Sequence, residues 1–270
     1  MEIELNNVSY KKYLKNINII FKSQLINGII GPSGSGKTCL LELIDLLIVP
    51  TKGNVYIDKV IFNKTSNINE IRKNIGFVFQ FPEEQFFNTT VKKELEVALN
   101  FYGNKKDIKK LISDTLKMVD LDESLLQRDP FTLSSGEKRK LAIASILIYN
   151  PKIILMDEPT IGLDYKSREN LIKIIRNLKT EYKKTIIIVS NDVDLIHKIS
   201  DYIYILKEGN LLLSGNKYDV FKNTKLLREN NINIPKLIEF SDYVLINKRI
   251  KIGYRDEIND LIKDIYRYAK

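Results

Sequence analysis

The sequence contains little sulfur and no long apolar run. Its single cysteine, Cys39, excludes an internal disulfide bond and fits a reducing compartment. No uncharged apolar run approaches the roughly 18–20 residues that a membrane-spanning helix needs. The segment "MEIELNN" lacks the apolar core of a secretory signal, so we expect no signal peptide. Any action at a membrane is therefore expected to pass through a partner.

The net charge of +9, from 43 basic and 34 acidic side chains, is compatible with two kinds of surface. One faces an anionic neighbour, either nucleic acid or lipid headgroups. The other is an ordinary lysine-rich surface in water. The basic residues are spread along the chain, with no run longer than Lys138-Arg139-Lys140, and this favours the second interpretation.

Short apolar runs alternate with helical patterns, which predicts an α/β fold with a largely parallel sheet. Strands follow one another closely before about Asp58, so an antiparallel β patch is expected there. Residues 83–150 have helical spacing and no strand signal, and Gly103 is expected to end a helix. After residue 222, an asparagine-rich link precedes two amphipathic segments.

We therefore expect a domain at 1–222, with a helical subdomain inserted at about 83–150, and a short helical C-terminal extension at 223–270. The last segment of the extension is predicted to place five apolar side chains on one helix face: Ile258, Leu261, Ile262, Ile265 and Tyr266.

A glycine loop lies between the apolar run "NGII" and an apolar helix pattern. The spacing Gly-x4-Gly-Lys-Thr in this strand-to-helix context is the P-loop pattern. Gly34 and Gly36 allow backbone N–H groups to close on phosphate oxygens, and Lys37 is expected to bridge the β- and γ-phosphates. The residues expected to bind the nucleotide here are Gly31, Pro32, Ser33, Gly34, Ser35, Gly36, Lys37 and Thr38. The pattern predicts a nucleoside triphosphate and leaves kinase, GTPase, ATPase and motor open.

Two acids, Asp157 and Glu158, end the buried strand pattern "KIILMDEP". In P-loop proteins such a position suits a carboxylate that holds Mg²⁺ and a second one that orients the attacking water. We assign the first role to Asp157, together with the Thr38 hydroxyl, and the second to Glu158.

The stretch "LSSGEKRKLAIASILIY" begins a second helix with the small residues Ser134, Ser135 and Gly136. A helix amino terminus of this kind suits another phosphate. One chain does not need two γ-phosphate sites, so two subunits are expected, each presenting this helix to the P-loop of the other.

With these motifs in this order, residues 2–215 resemble the nucleotide-binding subunit of ABC (ATP-binding cassette) transporters. "LSSGE" stands where the family pattern is LSGGQ, "IILMDE" is the Walker B strand, "IGLD" is the D-loop and "FVFQ" supplies the Q-loop glutamine. The resemblance implies a P-loop NTPase (RecA-like) ABC cassette that binds ATP and Mg²⁺ and closes as a head-to-tail dimer, whose movement drives a membrane partner. It adds these residues to the site: Gln80 as a catalytic residue and Mg²⁺ ligand, Tyr13 (or Tyr10) against adenine, and Ser134, Ser135, Gly136, Glu137 and Asp164 at the shared ATP.

The run "FPEEQFF" after the Q-loop and the helical tail are similar to the ATPase (A) subunits of energy-coupling factor (ECF) importers. The form of this run favours the second of the two paired ATPase types and hence a heterodimer. The resemblance implies that a transmembrane T component docks near Phe81, Pro82, Glu83 and Gln85, that a separate S component selects a vitamin or metal ion, and that the subunit is peripheral on the cytoplasmic face of the membrane. A generic tail on another ABC importer subunit is the alternative.

The main departure from the family is Asn191, because the strand "TIIIVSND" has asparagine where the family has its switch histidine. An asparagine amide donates a hydrogen bond but carries no charge at neutral pH. We therefore expect intact ATP binding and slow hydrolysis at this chain's own P-loop. The only histidine, His197, lies further along the next helix and is interpreted as an ordinary helix residue rather than a displaced switch.

Two other functions stay open from the sequence. A non-transport ABC protein acting on nucleic acid or ribosomes usually has two cassettes or long coiled coils, and neither is present here. A regulatory subunit that binds ATP and dimerises without hydrolysis is compatible with Asn191. Nucleic acid is not an expected partner, and the transported substrate is not encoded in these motifs.

Overall fold

Within residues 1–62, 68–101, 107–249, 253 and 255–268, which the computed structural model describes, the chain forms two sheets and a set of helices. The strands are β1 Ile3–Tyr10, β2 Leu14–Phe21, β3 Ile26–Ile30, β4 Lys52–Ile57, β5 Val60–Phe62, β6 Ile75–Val78, β7 Ile153–Asp157, β8 Thr185–Val189, β9 Tyr202–Lys207 and β10 Asn210–Asn216. The helices are α1 Lys37–Ile44, α2 Ile68–Arg72, α3 Val91–Phe101, α4 Ile108–Met118, α5 Ser135–Leu147, α6 Tyr165–Thr180, α7 Val193–Ile199, α8 Lys217–Phe221, α9 Thr224–Glu229, α10 Lys236–Lys248 and α11 Ile258–Tyr268.

The six-stranded sheet has the order β10-β9-β3-β8-β7-β6 and is parallel except for the antiparallel pair β9–β10. Every residue of β3, β7 and β8 is buried, as expected for strands covered on both faces. In β7, Ile154 and Met156 belong to one apolar cluster and Ile153 and Leu155 to the other. The carboxyl ends of β3, β7 and β8 meet at one edge, where parallel sheets bind ligands.

The expected antiparallel patch is the four-stranded sheet β2-β1-β4-β5. Its inward side chains pack with α1 in one apolar cluster. This sheet and the P-loop helix therefore cover the same face of the central sheet.

The segment predicted to be helical at 83–150 contains α3, α4 and α5, with short 3₁₀ turns at Pro82–Gln85, Glu123–Gln127 and Pro130–Thr132, and its described residues contain no strand. Val91, Leu95 and Leu141 are fully buried within its core. Gly103, the expected helix end, lies outside the described residues. The helical prediction for this segment is confirmed in the part of the chain that the structure describes.

After residue 222, the described residues form three helices, α9, α10 and α11, where two were expected. The predicted apolar face of α11 is buried only at Leu261 (3% exposed), whereas Ile258 and Tyr266 are 59% and 70% exposed. Ile232 and Ile238 join the cluster that contains β3 and β8, so the domain boundary at residue 222 stays a prediction. Among the described residues, no helix combines the length and apolarity needed to cross a bilayer.

Candidate nucleotide-binding and hydrolysis site

The glycine loop leads from β3 into α1 and leaves the amino terminus of that helix uncapped. Gly34 and Gly36 have φ of 76° and 100°, which favour glycine over any residue with a Cβ. A Cβ at Gly36 would also lie 2.7 Å from the Tyr13 carbonyl oxygen. No side chain hydrogen-bonds the first turn of α1, and this turn contains no acid. The first N–H groups of α1 are therefore available to a phosphate.

Lys37 is 7% exposed, and its ammonium donates to the carbonyl oxygens of Gly31 (2.8 Å) and Pro32 (3.0 Å). Desolvation lowers the pKa of Lys37, and the nearby carboxylates of Glu158 and Asp157 oppose that shift. The Lys37 ammonium is therefore bound to the glycine loop. We expect it to break these two hydrogen bonds when it binds phosphate.

Thr38 and Asp157 meet at the start of α1, where the Thr38 hydroxyl donates to Asp157 Oδ2 at 3.1 Å. Burial raises the pKa of Asp157, and the Thr38 hydrogen bond and Lys37 lower it. Gln80 lines the same cavity. The described residues contain no cluster of three His, Cys, Asp or Glu side chains suited to a metal ion. A hydroxyl with one carboxylate fits Mg²⁺, which keeps waters and takes phosphate oxygens as its other ligands.

Glu158 follows β7 in a left-handed conformation (φ 45°) and is 6% exposed. Its Oε2 accepts from the Ser190 hydroxyl at 2.9 Å, and its Oε1 accepts from the Asn191 backbone N–H at 2.8 Å. Desolvation raises the pKa of Glu158, whereas these two hydrogen bonds lower it. The carboxylate is therefore fixed at both oxygens, and Ser190, which the sequence analysis did not assign to the site, supplies one of the contacts.

Asn191 is exposed and contacts Glu158 only through its backbone. Its side-chain amide has no hydrogen-bond partner among the described residues, and it lines the nucleotide cavity. His197 lies in α7, is 2% exposed and packs edge-on against Phe221 with ring centroids 5.6 Å apart. His197 is outside the residues that line the cavity, which supports its interpretation as a helix residue.

The glycine loop, the start of α1 and the segments that follow β7 and β8 line a cavity of about 590 Å³. Its predicted lining residues are Tyr13, Ser33, Gly34, Gly36, Lys37, Thr38, Gln80, Asp157, Glu158 and Asn191, joined by Tyr10, Lys11, Cys39, Glu42 and Val189. Tyr13 is 48% exposed, whereas Tyr10 packs against the apolar cluster around α1. Tyr13 thus stays the predicted contact for adenine. Ser35 is 2% exposed and its hydroxyl has no partner among the described residues.

The residues Ser134–Glu137 do not line this cavity. Ser134 caps α5: its hydroxyl accepts from the Glu137 N–H (3.3 Å) and donates to Glu137 Oε2 (2.8 Å), and its own N–H donates to the same oxygen (2.9 Å). The backbone N–H bond from Ser134 is the main cause that lowers the pKa of Glu137. This capping box was readable as Ser-x-x-Glu and was missed in the sequence analysis.

The D-loop lies beside this terminus. A Cβ on Gly136 would lie 2.8 Å from Ser167 Oγ in α6, so glycine permits the close approach. Asp164 caps α6 by accepting from the Ser167 N–H at 2.7 Å, and this bond lowers its pKa. Ser134, Gly136 and Asp164 thus form a surface on this chain that is separate from its own P-loop cavity.

Arg139 joins α5 to the Q-loop and was also missed. Its guanidinium is 2% exposed and donates to the carbonyl oxygens of Phe79 (2.8 Å) and Gln80 (2.7 Å). Burial lowers the pKa of Arg139 to about 10. The backbone of the Q-loop is therefore tied to the helix that begins at Ser134.

The predicted docking residues after Gln80 differ in exposure. Phe81 is 46% exposed and Glu83 is exposed, whereas Pro82 is buried. The Gln85 amide is used inside the loop, because its Oε1 accepts from the Phe79 N–H (2.9 Å) and its Nε2 donates to the Phe77 carbonyl (3.2 Å). Gln85 thus braces the loop from within.

Beyond this loop, Phe87 is 83% exposed although its neighbourhood is rigid. Glu94 Oε2 accepts from the N–H groups of Phe87 (3.0 Å) and Asn88 (2.9 Å) and from the Asn88 amide (3.0 Å).

Comparisons with known proteins agree with this geometry. Residues 14–161 match the family described as ABC transporter. The chain is 34% identical over 278 residues to the energy-coupling factor transporter ATP-binding protein EcfA2 of Clostridium acetobutylicum, covering 98% of this chain and 94% of that protein.

Two solved structures are similar. One is cbiO1 from Clostridium perfringens, part of the ABC transporter complex cbiONQ (TM-score 0.76, 29% identity, 89% of this chain and 98% of that one). The other is the dimeric post-hydrolysis state of the ATP-binding cassette MJ0796 bound to ADP and Pi (TM-score 0.72, 33% identity, 80% and 98%).

Proposed function

The chain belongs to the ABC transporter family, and from that premise we propose that it powers an ECF-type importer for a vitamin or metal-ion micronutrient. As a member of that family it is an ATPase coupled to transport. In the proposed importer it works with a second ABC ATPase subunit, a membrane T component and, indirectly, a substrate-selecting S component. It is placed peripherally on the cytoplasmic face of the membrane.

The observation that carries the proposal is the meeting of Lys37, Thr38, Asp157 and Glu158 in one cavity at the carboxyl edge of the sheet. The loop and α1 amino terminus bind the phosphates, and Lys37 moves from two loop carbonyls to the β- and γ-phosphates. Thr38 and Asp157 would hold Mg²⁺, which would neutralise charge on the transferred phosphoryl group. Glu158, fixed at both oxygens, orients a water toward the γ-phosphate and accepts its proton.

Asn191 makes this chain's own site slow under the proposal. Its side-chain amide is neutral and has no hydrogen-bond partner among the described residues, so it offers the γ-phosphate at most an uncharged donor. A lost donor to developing charge lowers rates by roughly 10²–10³ in comparable sites. ATP binding depends on the P-loop and is expected to be retained.

A partner cassette completes each site in the proposed mechanism. Ser134, Ser135, Gly136, Glu137 and Asp164 lie apart from this chain's cavity, which supports their use on ATP held by the other subunit. A heterodimer is favoured, because a slow site on this chain is tolerated when the partner has a full one. The dimeric ATP-binding cassette MJ0796 provides a precedent for pairing.

The T component is proposed to dock on the Q-loop surface, where Phe81 and Glu83 are exposed. Gln85 contributes by holding the loop, through its bonds to the backbone at Phe77 and Phe79. A membrane helix that presses on this surface would reach Gln80 directly.

The test is single-turnover ATP hydrolysis by the reconstituted two-ATPase complex, with Glu158→Gln in this chain or the matching change in the partner. We expect the partner's change to remove most turnover and Glu158→Gln to remove little. Loss of all turnover with Glu158→Gln alone would show that this site is not slow. Co-purification with a polytopic membrane protein tests the transport role, and salt-sensitive binding to DNA or ribosomes in its place would contradict it.

A further inference from the structure

Glu158 is held by a residue that lies next to the switch position. Ser190 directly follows β8 and is fully buried, and its hydroxyl donates to Glu158 Oε2 at 2.9 Å. The same hydroxyl oxygen accepts from the Asp192 N–H at 3.1 Å. The hydroxyl therefore links the Asp192 backbone to the carboxylate, as acceptor from one and donor to the other.

We propose that Ser190 is the positioning residue for Glu158: its hydroxyl holds the catalytic carboxylate, which the Asn191 side chain does not contact. This inference rests on the proposed ATPase function and goes beyond it by assigning a role to a residue outside the nucleotide cavity. Ser190 acts through Glu158 and does not itself contact ATP.

The need for such a residue follows from the backbone at Glu158. Its left-handed φ of 45° is unfavourable for a residue with a side chain and persists only when the surroundings fix it. The Glu158 N–H donates to the Val189 carbonyl at 2.9 Å, and the Asn191 N–H binds Oε1 at 2.8 Å. These bonds and Ser190 together set both the place and the plane of the carboxylate.

The support behind Ser190 is itself fixed. Asp192 accepts from the Leu195 N–H (2.9 Å) to cap α7, and its Oδ2 forms an ion pair with Arg168 Nη2 in α6 at 2.6 Å. The Asp192 N–H that points at Ser190 is therefore anchored to two helices. The position of the Glu158 carboxylate is therefore fixed through Ser190 and Asp192, and the Asn191 side chain does not contribute to it.

The consequence is a division of labour at this strand end. Here the Ser190 hydroxyl and the Asn191 backbone hold the glutamate, so Asn191 affects the phosphate contact only. The slow site then keeps a correctly placed carboxylate.

The first experiment uses the chain alone and compares amide hydrogen exchange in the wild type, Ser190→Ala, Ser190→Thr and Ser200→Ala. Ser200 is a matched control, since it is 1% exposed and its hydroxyl has no partner among the described residues. We expect Ser190→Ala to speed exchange at Asn191 and Asp192 by about tenfold. The Asp192 N–H loses its acceptor, the Ser190 hydroxyl, and the Asn191 N–H keeps an acceptor, Glu158, that Ser190 no longer holds in place. Threonine should restore protection, and Ser200→Ala should not change it.

The second experiment is single-turnover hydrolysis in the two-ATPase complex whose partner subunit has its catalytic glutamate changed to glutamine. We expect Ser190→Ala to slow hydrolysis about tenfold with unchanged ATP affinity, and Ser190→Thr to return within about twofold. A loss of ATP affinity, an unchanged rate, or failure of threonine to rescue would overturn the inference. If Glu158→Gln leaves the wild-type rate in this complex unchanged, the catalytic role proposed for Glu158 at this chain's own site fails instead.

Discussion

Two helix amino termini of this chain, those of α1 and α5, are both expected to face phosphate, and they are built in opposite ways. The α1 terminus begins at Gly36 with no side-chain cap and no acid in its first turn. The α5 terminus is closed by the Ser134–Glu137 capping box and carries the Glu137 carboxylate. The α1 terminus leaves its donors for a ligand, whereas at α5 the Ser134 and Glu137 N–H groups are already satisfied within the chain.

This difference is what we expect between a phosphate-binding site, at α1, and an interface with a second cassette, at α5. Uncapped N–H groups and a local lysine attract a phosphate, which meets no carboxylate in the first turn of α1. At α5 a phosphate must compete with a carboxylate that already accepts from Ser134 twice. We therefore expect α1 to set the affinity for ATP and α5 to control how readily a second cassette closes on it.

The largest effect is expected from Lys37→Ala, which tests whether the α1 terminus sets the affinity for ATP. It removes the cation from the uncapped terminus, and we expect ATP affinity to fall at least a hundredfold, measured with a fluorescent ATP analogue on the isolated chain. Lys184→Ala is a matched control, because Lys184 is also a buried lysine whose ammonium donates to a loop, at Asn150 Oδ1 (2.5 Å) and Pro151 O (2.6 Å). An equal loss in both variants would point to instability and not to phosphate binding.

A second prediction concerns Asp45, at the opposite end of α1 from the phosphate site. Burial raises the pKa of Asp45 at the α1 C-cap to about 7, and Arg72, which donates to the Asp45 and Leu46 carbonyls, only partly opposes it. The folded state then binds this proton more tightly than the unfolded chain, so stability falls as pH rises from about 4 to 7. We expect Asp45→Asn to raise the melting temperature by roughly 3–6 °C at pH 8 and little at pH 4.5.

Equal shifts at both pH values would show that the ionised carboxylate is not the cause. Phosphate binding at the distant α1 amino terminus should be unaffected in the same variant.

Removal of the α5 cap comes next in size. Ser134→Ala deletes the hydroxyl that bonds Glu137, and we expect a loss of about 1 kcal/mol in the free energy of unfolding. Ser134→Asn should retain most of the stability, since asparagine is an equally good N-cap. Chemical denaturation of the three proteins measures this, and no loss with alanine would mean that the capping box is not formed in solution.

The smallest effect is expected from Glu137→Gln, which neutralises the α5 terminus while keeping an acceptor for the cap. We expect ATP-dependent pairing of cassettes to tighten about three- to tenfold in a Glu158→Gln background, followed by sedimentation velocity. Glu181→Gln, at an exposed residue after α6, is the control for net charge. Weaker pairing with glutamine would indicate that the carboxylate itself contributes to the interface.

The local parts of the site were predictable from the sequence, and the contacts across the fold were not. The P-loop and the pair Asp157–Glu158 each occupy consecutive residues at a strand end, so pattern and topology were enough. Ser190 reaches Glu158 across 32 residues and Arg139 reaches Phe79 across 60, and no spacing rule connects such positions. The α11 face was predicted as apolar but not as exposed, because exposure depends on how the extension docks.

That docking uses charge where the pattern suggested apolar packing. Glu257 pairs with Arg176 (3.3 Å), and Asp256 binds Lys217 (2.6 Å) and the Tyr218 hydroxyl (3.0 Å). These ionic contacts hold the start of α11 against α6 and α8 while much of its apolar face stays in solvent. Amphipathicity alone carries no information about such contacts.

The guanidinium of Arg139 couples the Q-loop to α5, the helix that begins after Ser134. To separate them, two buried charge-assisted hydrogen bonds must break, each worth roughly 1.5–3 kcal/mol. A displacement of the loop at Phe81 is therefore expected to move α5 with it, and a neighbouring cassette at the α5 amino terminus is expected to feel that movement.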